Sequence, residues 1–496
     1  MRPGCTFLLA CCAMLAGCVA LPDDPVSPSR GGGGPGGPSP WDGGSDPRLV
    51  AVLGDPGSTG RAEPGRIDAP VTAVDLDGDG TKEIVATSKD RNVYVYSATT
   101  GHVLATLPTK YPTAWWTDRV LNQVTVGVLT PGEPPTLVVA SPAAYVAAWR
   151  YDPTGSTPDV FRFERLWERR LDDCHREASM DAAPILADLD GDGRLEVVTQ
   201  TEEVGLFALD TDGSLLWKQC WGGGNGAPAV DDLDGDGDLE AVFGSDDGRI
   251  AVLDGATGAP LWTFDAKQHG IRPASIPVTP TVAELDGKAP KEVLFTARYA
   301  PADDPDAFDD YHMAVFAVHQ STTTWRSEVV WMRQPAWANP MSYTHLLVDD
   351  VDGDGRTDVY GMDWNTIGHK PGAWQNLGPG NVFRLDAEGN DVWVRPMDSW
   401  WSNKDIALTQ IDDDADVDLL VNAPRGGTDG LWRLDAATGE PEGFLPTPEW
   451  QVVRGPQVVD LWGDGSVGLL VPVEPMDGGS GTGAVLVYRF DRPAGG

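Results

Sequence analysis

Four stretches of the sequence set acidic residues at alternate positions around glycine. They begin Asp75-Leu76-Asp77-Gly78-Asp79-Gly80, Asp188-Leu189-Asp190-Gly191-Asp192-Gly193, Asp232-Leu233-Asp234-Gly235-Asp236-Gly237 and Asp350-Val351-Asp352-Gly353-Asp354-Gly355. Counting from the first acid, positions 1, 3 and 5 are carboxylates. Position 9 is a fourth acid (Glu83, Glu196, Glu240, Asp358), and position 7 (Thr81, Arg194, Asp238, Arg356) can offer a backbone carbonyl. Calcium takes roughly six to eight oxygens at about 2.3–2.6 Å in a flexible shell, whereas magnesium prefers to keep its water. Carboxylates crowded this closely repel one another without a cation. The alternative is a solvated turn using Asp and Gly for turn chemistry alone, which has to account for four copies of one spacing. The expected calcium ligands are therefore Asp75, Asp77, Asp79, Thr81 and Glu83; Asp188, Asp190, Asp192, Arg194 and Glu196; Asp232, Asp234, Asp236, Asp238 and Glu240; and Asp350, Asp352, Asp354, Arg356 and Asp358.

Weaker copies extend the series. Gln410 is followed by Asp412, Asp414, Asp416 and Asp418, enough oxygen for a fifth ion. The copy from Glu284 carries Lys288 at the third acidic position, where its ammonium is expected to replace the ion. The copy from Asp460 has Trp462 inside it and Gly468 at position 9, which does not suit calcium. A stripped copy, Val128 to Thr136, lacks the acids but leads into the same kind of apolar run, Leu137-Val138-Val139-Ala140.

The elements that position these loops repeat with them. First positions fall at 75, 128, 188, 232, 284, 350, 410 and 460, between 44 residues (188 to 232) and 66 residues (284 to 350) apart. In each unit a short strand enters the acidic loop, a second leaves it, and a third alternates in period two, as in Ile250-Ala251-Val252-Leu253. A turn such as Asp254-Gly255-Ala256-Thr257-Gly258 then leads to a fourth strand expected to end in Trp, at Trp217, Trp262 and Trp393, with Trp167 and Trp331 in similar places. Four antiparallel strands repeated eight times predict an all-β fold, a β-propeller of eight four-stranded blades spanning 48–496. Seven is the alternative, if the Val128 unit is an insertion. The last unit lacks a fourth strand, and Leu49 to Leu53 is expected to supply it and close the ring.

The acidic loops resemble the FG-GAP/VCBS repeats of integrin α-subunit propellers and many secreted bacterial proteins. The Leu-Asp-x-x-x-Gly-x-x-Leu-Trp hairpins resemble the quinoprotein-like (PQQ-like) propeller repeat, and together the resemblances cover about residues 48 to 490. Integrin-type propellers have seven blades and quinoprotein propellers eight. The resemblance implies structural calcium on the face opposite the ligand-binding face. It does not carry quinone binding, because no counterpart of that family's vicinal disulfide or haem motif is present.

The net charge of −39 argues against nucleic-acid binding and against docking on anionic lipid through a basic patch. With 41% hydrophobic residues and 19 Trp, general disorder is not expected. Arg2, the apolar run Thr6 to Ala16 and Leu15-Ala16-Gly17-Cys18 resemble a bacterial lipoprotein signal, with residues 1–17 removed and Cys18 lipidated. Residues 18–47, with Gly31-Gly32-Gly33-Gly34-Pro35-Gly36-Gly37, read as a flexible tether. An exported lipoprotein of the cell envelope follows as the expectation, monomeric and touching the membrane only through its anchor. Cys174 and Cys220 follow the fourth strands of neighbouring units and are either a disulfide between blades or two buried thiols.

The connections between blades, and between second and third strands, are rich in aromatics. Candidate ligand-binding residues are Trp115, Trp116, Trp221, His269, Arg272, Trp337, Trp400, Trp401 and Lys404, with Trp364, His369 and Trp374 in a long insert. Trp faces beside amides and cations suit sugar rings; packing between blades is the other use of the same residues. No nucleophile elbow, zinc-protease or phosphate-loop motif is present. Two functions follow: a non-enzymatic, surface-anchored propeller binding a glycan or protein, or a calcium-dependent polysaccharide-acting enzyme similar to rhamnogalacturonan lyases, with His269, Arg272, His369 or Lys404 near the chemistry.

Overall fold

The computed structural model describes residues 48–490 apart from 55–66, 68–69, 89–90, 110–122, 142, 175–179, 181, 203–204, 225, 272–273, 277, 300–311, 322–325, 336–344, 364–365, 371–372, 377–379, 398–405, 412–415, 426–427, 449 and 476–482. The leader and tether lie outside these residues.

Eight antiparallel sheets follow one another along the chain. Blade 4 is representative: Ala229–Asp231, Glu240–Gly244, Arg249–Asp254 and Pro260–Asp265 pair in that order. The Val128 unit is a complete blade 2, from Thr125–Gly127 to Phe163–Arg170, so the ring has eight blades. Blade 6 carries an extra hairpin, Thr366–Lys370 with Ala373–Asn376, between its second and third strands. Arg48–Leu53 pairs antiparallel with Ala484–Phe490 and supplies the fourth strand of blade 8. Ends of the ring are thus joined by backbone hydrogen bonds, and an edge that would otherwise invite pairing with another chain is covered.

Period-two alternation explains how the blades stack. Side chains at successive positions of a strand face opposite neighbours. Val242 and Val252 pack with Phe295 and Phe316 of blade 5, while Ala241, Phe243 and Leu253 pack with Val198 and Ala208 of blade 3. Eight such apolar clusters lie between successive blades, and the one joining Leu470, Val485 and Val487 to Ile84, Tyr94 and Tyr96 closes blade 8 onto blade 1. Second and third strands are covered on both sides and therefore read as near-continuous apolar runs. At the outer edge the fourth strand Ser327–Arg333 alternates half-buried and exposed positions.

The fourth-strand tryptophans lie within their strands rather than at their ends. Leu215–Gln219 and Pro260–Asp265 run two and three residues past Trp217 and Trp262. Four of these tryptophans reach the third-to-fourth-strand turn of the following blade. Trp167 Nε1 donates to Thr211 O at 2.7 Å, Trp217 to Gly255 O at 2.6 Å, Trp331 to Ala387 O at 2.9 Å and Trp393 to Ala436 O at 3.1 Å. The indole rings lie over Gly213, Gly258, Gly389 and Gly439. Gly258 has φ +69°, and a Cβ there would sit 2.5 Å from the Trp217 ring, so the position needs glycine both for backbone conformation and for space.

The sulfurs of Cys174 and Cys220 are bonded, with the Cα atoms 5.1 Å apart, tying the exit of blade 2 to the exit of blade 3.

Candidate metal centre

The acidic loops connect first to second strands. Antiparallel order places them on the same face of the ring as the turns that receive the tryptophans. Connections between blades, and between second and third strands, lie on the opposite face.

One pattern of hydrogen bonds shapes the loops of blades 1, 3 and 4. In blade 1, Asp75 accepts from Gly78 N at 2.7 Å and Gly80 N at 3.0 Å, Asp77 accepts from Asp79 N at 3.2 Å, and Asp79 accepts from Thr81 N at 2.7 Å. Glu83 reaches back to accept from Leu76 N at 2.9 Å, and Glu196 and Glu240 repeat this at Leu189 N and Leu233 N, both at 2.8 Å. Gly78 and Gly80 have φ of +78° and +92°, which turns the chain inside the acidic ring. One oxygen of Asp77, Asp79 and Glu83 is spent on the loop, and the other is left for a ligand. Carboxylate oxygens of Asp75, Asp77 and Glu83 all lie within 4.8 Å of one another, as do those of Asp188, Asp190 and Glu196, of Asp232, Asp234 and Asp236, and of Asp350, Asp352 and Asp354.

Burial makes these groups consequential. Glu83, Glu196 and Glu240 are 5%, 2% and 7% exposed, and among the described residues no basic side chain is bonded to them. Desolvation, added to by the neighbouring aspartates, pushes each from an ordinary 4.5 up to about 7. Asp77 and Asp234 are also raised, first by burial. Asp188 Oδ1 is buried without a hydrogen-bond partner. A hard divalent cation fits this donor set: oxygen ligands, surplus negative charge, and a buried carboxylate at the base.

The loops also bond to one another. Lys82 N donates to Leu461 O at 2.9 Å, Leu195 N to Leu129 O at 2.9 Å and Lys291 N to Leu233 O at 2.8 Å, in each case from the loop of one blade to that of the preceding blade. Anything that stiffens a loop therefore stiffens the joint between blades.

Blade 6 differs. Arg384, on the third strand Gly380–Leu385, is buried, and its Nη2 donates to Asp352 at 2.5 Å and Asp358 at 2.7 Å, while Nη1 donates to Ala437 O at 2.7 Å. Its guanidinium holds Asp352 below the usual carboxylate range; burial still raises Asp358, and Arg384 offsets part of that rise. In blade 7, Arg433 Nη1 lies 3.6 Å from Asp418 Oδ1, both side chains buried. Asp412 and Asp414 lie outside the described residues. In blade 5, Lys288 pairs with Asp286 at 3.0 Å but is 77% exposed, and His319 Nδ1 is 3.5 Å from Glu292. In blade 8, Arg489 meets Asp464 at 2.6 Å; bonds from Ser466 and then Arg489 pull that carboxyl down to about 2. Arg384, Arg433 and His319 stand outside the loop motif. The one sequence signal was a basic residue in an otherwise apolar third strand.

Of the candidate ligand-binding residues, Trp115, Trp116, Arg272, Trp337, Trp364, Trp400, Trp401 and Lys404 lie outside the described residues; His369 and Trp374 belong to the blade 6 hairpin. Trp221 is half-buried, packs on the apolar cluster between blades 3 and 4, and carries the Arg249 guanidinium 5.4 Å from its ring. His269 ends a 3-10 turn and stacks on Phe264 at 4.8 Å.

No protein-family model matches the chain, and no curated protein matches it by sequence. Solved structures share its fold. BamB from Moraxella catarrhalis is 15% identical over 91% of this chain and 100% of its own, with a TM-score of 0.50. The quinohemoprotein alcohol dehydrogenase from Comamonas testosteroni is 13% identical over 87% of this chain and 76% of its own, at 0.53. Sqt1 from Saccharomyces cerevisiae is 11% identical over 90% and 100%, at 0.55. At these identities the likeness shows the propeller fold and not an activity. Among the described residues no helix is long and apolar enough to cross a membrane.

Proposed function

We propose that this protein is a non-enzymatic, calcium-stabilised β-propeller, exported and anchored in the cell envelope through a lipid on Cys18, which binds a glycan or a protein on the face opposite its acidic loops. The observation that carries the calcium reading is the set of buried carboxylates, Glu83, Glu196 and Glu240, gathered with aspartates and lacking a basic partner among the described residues. Such groups are costly unless a cation meets them. The loops bond blade to blade, which supports a structural role for the ions. The aromatic connections on the far face support a ligand there, with sugar rings or a protein surface as the chemistry they fit. No nucleic-acid role is proposed for a chain of net charge −39.

The test is to incubate the mature protein, in calcium, with a panel of polysaccharides that includes pectic polymers, recording retention on the polymer and release of unsaturated oligosaccharides. Retention without products is expected for a glycan ligand. Absence of both directs the search to a protein partner. Release of products that is lost in His269→Ala would overturn the reading in favour of a lyase.

A further inference from the structure

Comparing the blades with one another separates two kinds of acidic loop. The residue opposite the second position after the ninth-position acid lies on the third strand. In blades 1, 3 and 4 it is Val95, Ala208 and Val252, paired with Val85, Val198 and Val242, and the acid is glutamate each time. In blades 6 and 7 it is Arg384 and Arg433, paired with Tyr360 and Leu420, and the acid is aspartate both times. Long acid goes with an apolar partner, short acid with arginine.

Geometry supplies the reason. A guanidinium rising from the third strand needs the room that the shorter acid leaves. Arg384 spends it on two carboxylates of the loop, positions 3 and 9, and is held from the other side by Ala437 O. Two carboxylates bound to a buried, permanently charged fork are no longer available as a cage, and a divalent ion there would face a fixed positive charge at contact distance.

We propose that Arg384 is a resident cation that takes the place of the metal in blade 6, so that its acidic loop does not bind the ion that the loops of blades 1, 3 and 4 bind. The inference deepens the calcium reading and rests on it for those three loops; exclusion by arginine stands on the side-chain geometry alone. One consequence is a divided ring. Calcium then governs the joints of blade 8 with blade 1, blade 2 with blade 3 and blade 4 with blade 5, while the loop of blade 6 is neutralised by the chain itself.

The experiment counts calcium on the purified full chain by equilibrium dialysis and titration calorimetry, with Arg384→Val/Asp358→Glu as the variant, which gives blade 6 the pattern of blade 4. The variant is expected to bind one ion more than the wild type. A wild type that binds none and a variant that gains one would sink the calcium reading for blades 1, 3 and 4 yet uphold exclusion by Arg384. Equal counts in a folded variant overturn the proposal. Should the variant not fold, hydrogen exchange on the wild type decides. Calcium protection at 75–83, 188–196 and 232–240 but not at 350–358 supports it; protection at all four, or at none, overturns it.

Discussion

Replacing Gly258 by alanine tests whether the tryptophan contacts hold the blades together. The added methyl has two separable costs. Gly258 has φ +69°, and a non-glycine residue in that left-handed region costs about 1–2 kcal/mol. The Cβ would also lie 2.5 Å from Cδ2 and 2.6 Å from Cγ of Trp217, atoms of a fused ring that cannot bend aside. The whole indole must move, giving up its bond to Gly255 O, about 1 kcal/mol, and its edge contact with Phe243, about 0.5–1.5 kcal/mol. The expected loss is about 2.5–4.5 kcal/mol. Gly132→Ala is the control: φ is +85° and nothing lies within 4 Å, so only the backbone cost of about 1–2 kcal/mol applies. Urea unfolding followed by circular dichroism gives both values. In a Trp217→Ala background the Gly258→Ala cost should fall to the control value, because the obstacle is gone. Equal losses for Gly258→Ala and Gly132→Ala in the wild-type background would refute the docking argument.

Other expectations follow from the same contacts. Folded-state values near 7 for Glu83, Glu196 and Glu240 exceed the ordinary 4.5, so the metal-free fold binds more protons than the unfolded chain between those values; its stability is greatest at the acid end of that window and is lost as pH rises through about 7. Melting in chelator should therefore fall from pH 5 to pH 8, and excess calcium should remove the fall; a rise in chelator would contradict the burial argument. Calcium at a hundred times its dissociation constant should add about 2.7 kcal/mol per site by mass action, read as a chelator-reversible shift in melting temperature. The Cys174–Cys220 bond closes a separation of 46 residues, and loop-closure entropy sets its worth at up to about 4 kcal/mol, so Cys174→Ser/Cys220→Ser should lose about 2–4 kcal/mol in denaturant. Deleting 48–54 uncovers the strand Ala484–Phe490 and should produce oligomers by light scattering; a deletion variant that stays monomeric and equally stable would refute closure by that strand.

Much of the architecture was legible because it depends on short-range patterns repeated many times. An acidic turn between strands, an alternating third strand and a Gly-ended turn are local instructions, and their recurrence at 75, 128, 188, 232, 284, 350, 410 and 460 amounts to a propeller of eight. Even the closing strand could be read, since a last unit with three strands and an unpartnered Leu49–Leu53 have one mutual solution. Strand ends were not legible: Trp217 looked terminal because its role lies in the next blade, at Gly255 and Gly258. Nor was the difference among acidic loops. Asp350 to Asp358 matches Asp75 to Glu83 in spacing, and what separates them is Arg384, 26 residues beyond Asp358 and on another strand. The chain by itself determined where negative charge gathers, because alternate positions of one turn share a centre. Only the tertiary structure decided which gathering already holds a positive charge, because that depends on which side chain the neighbouring strand brings over the loop.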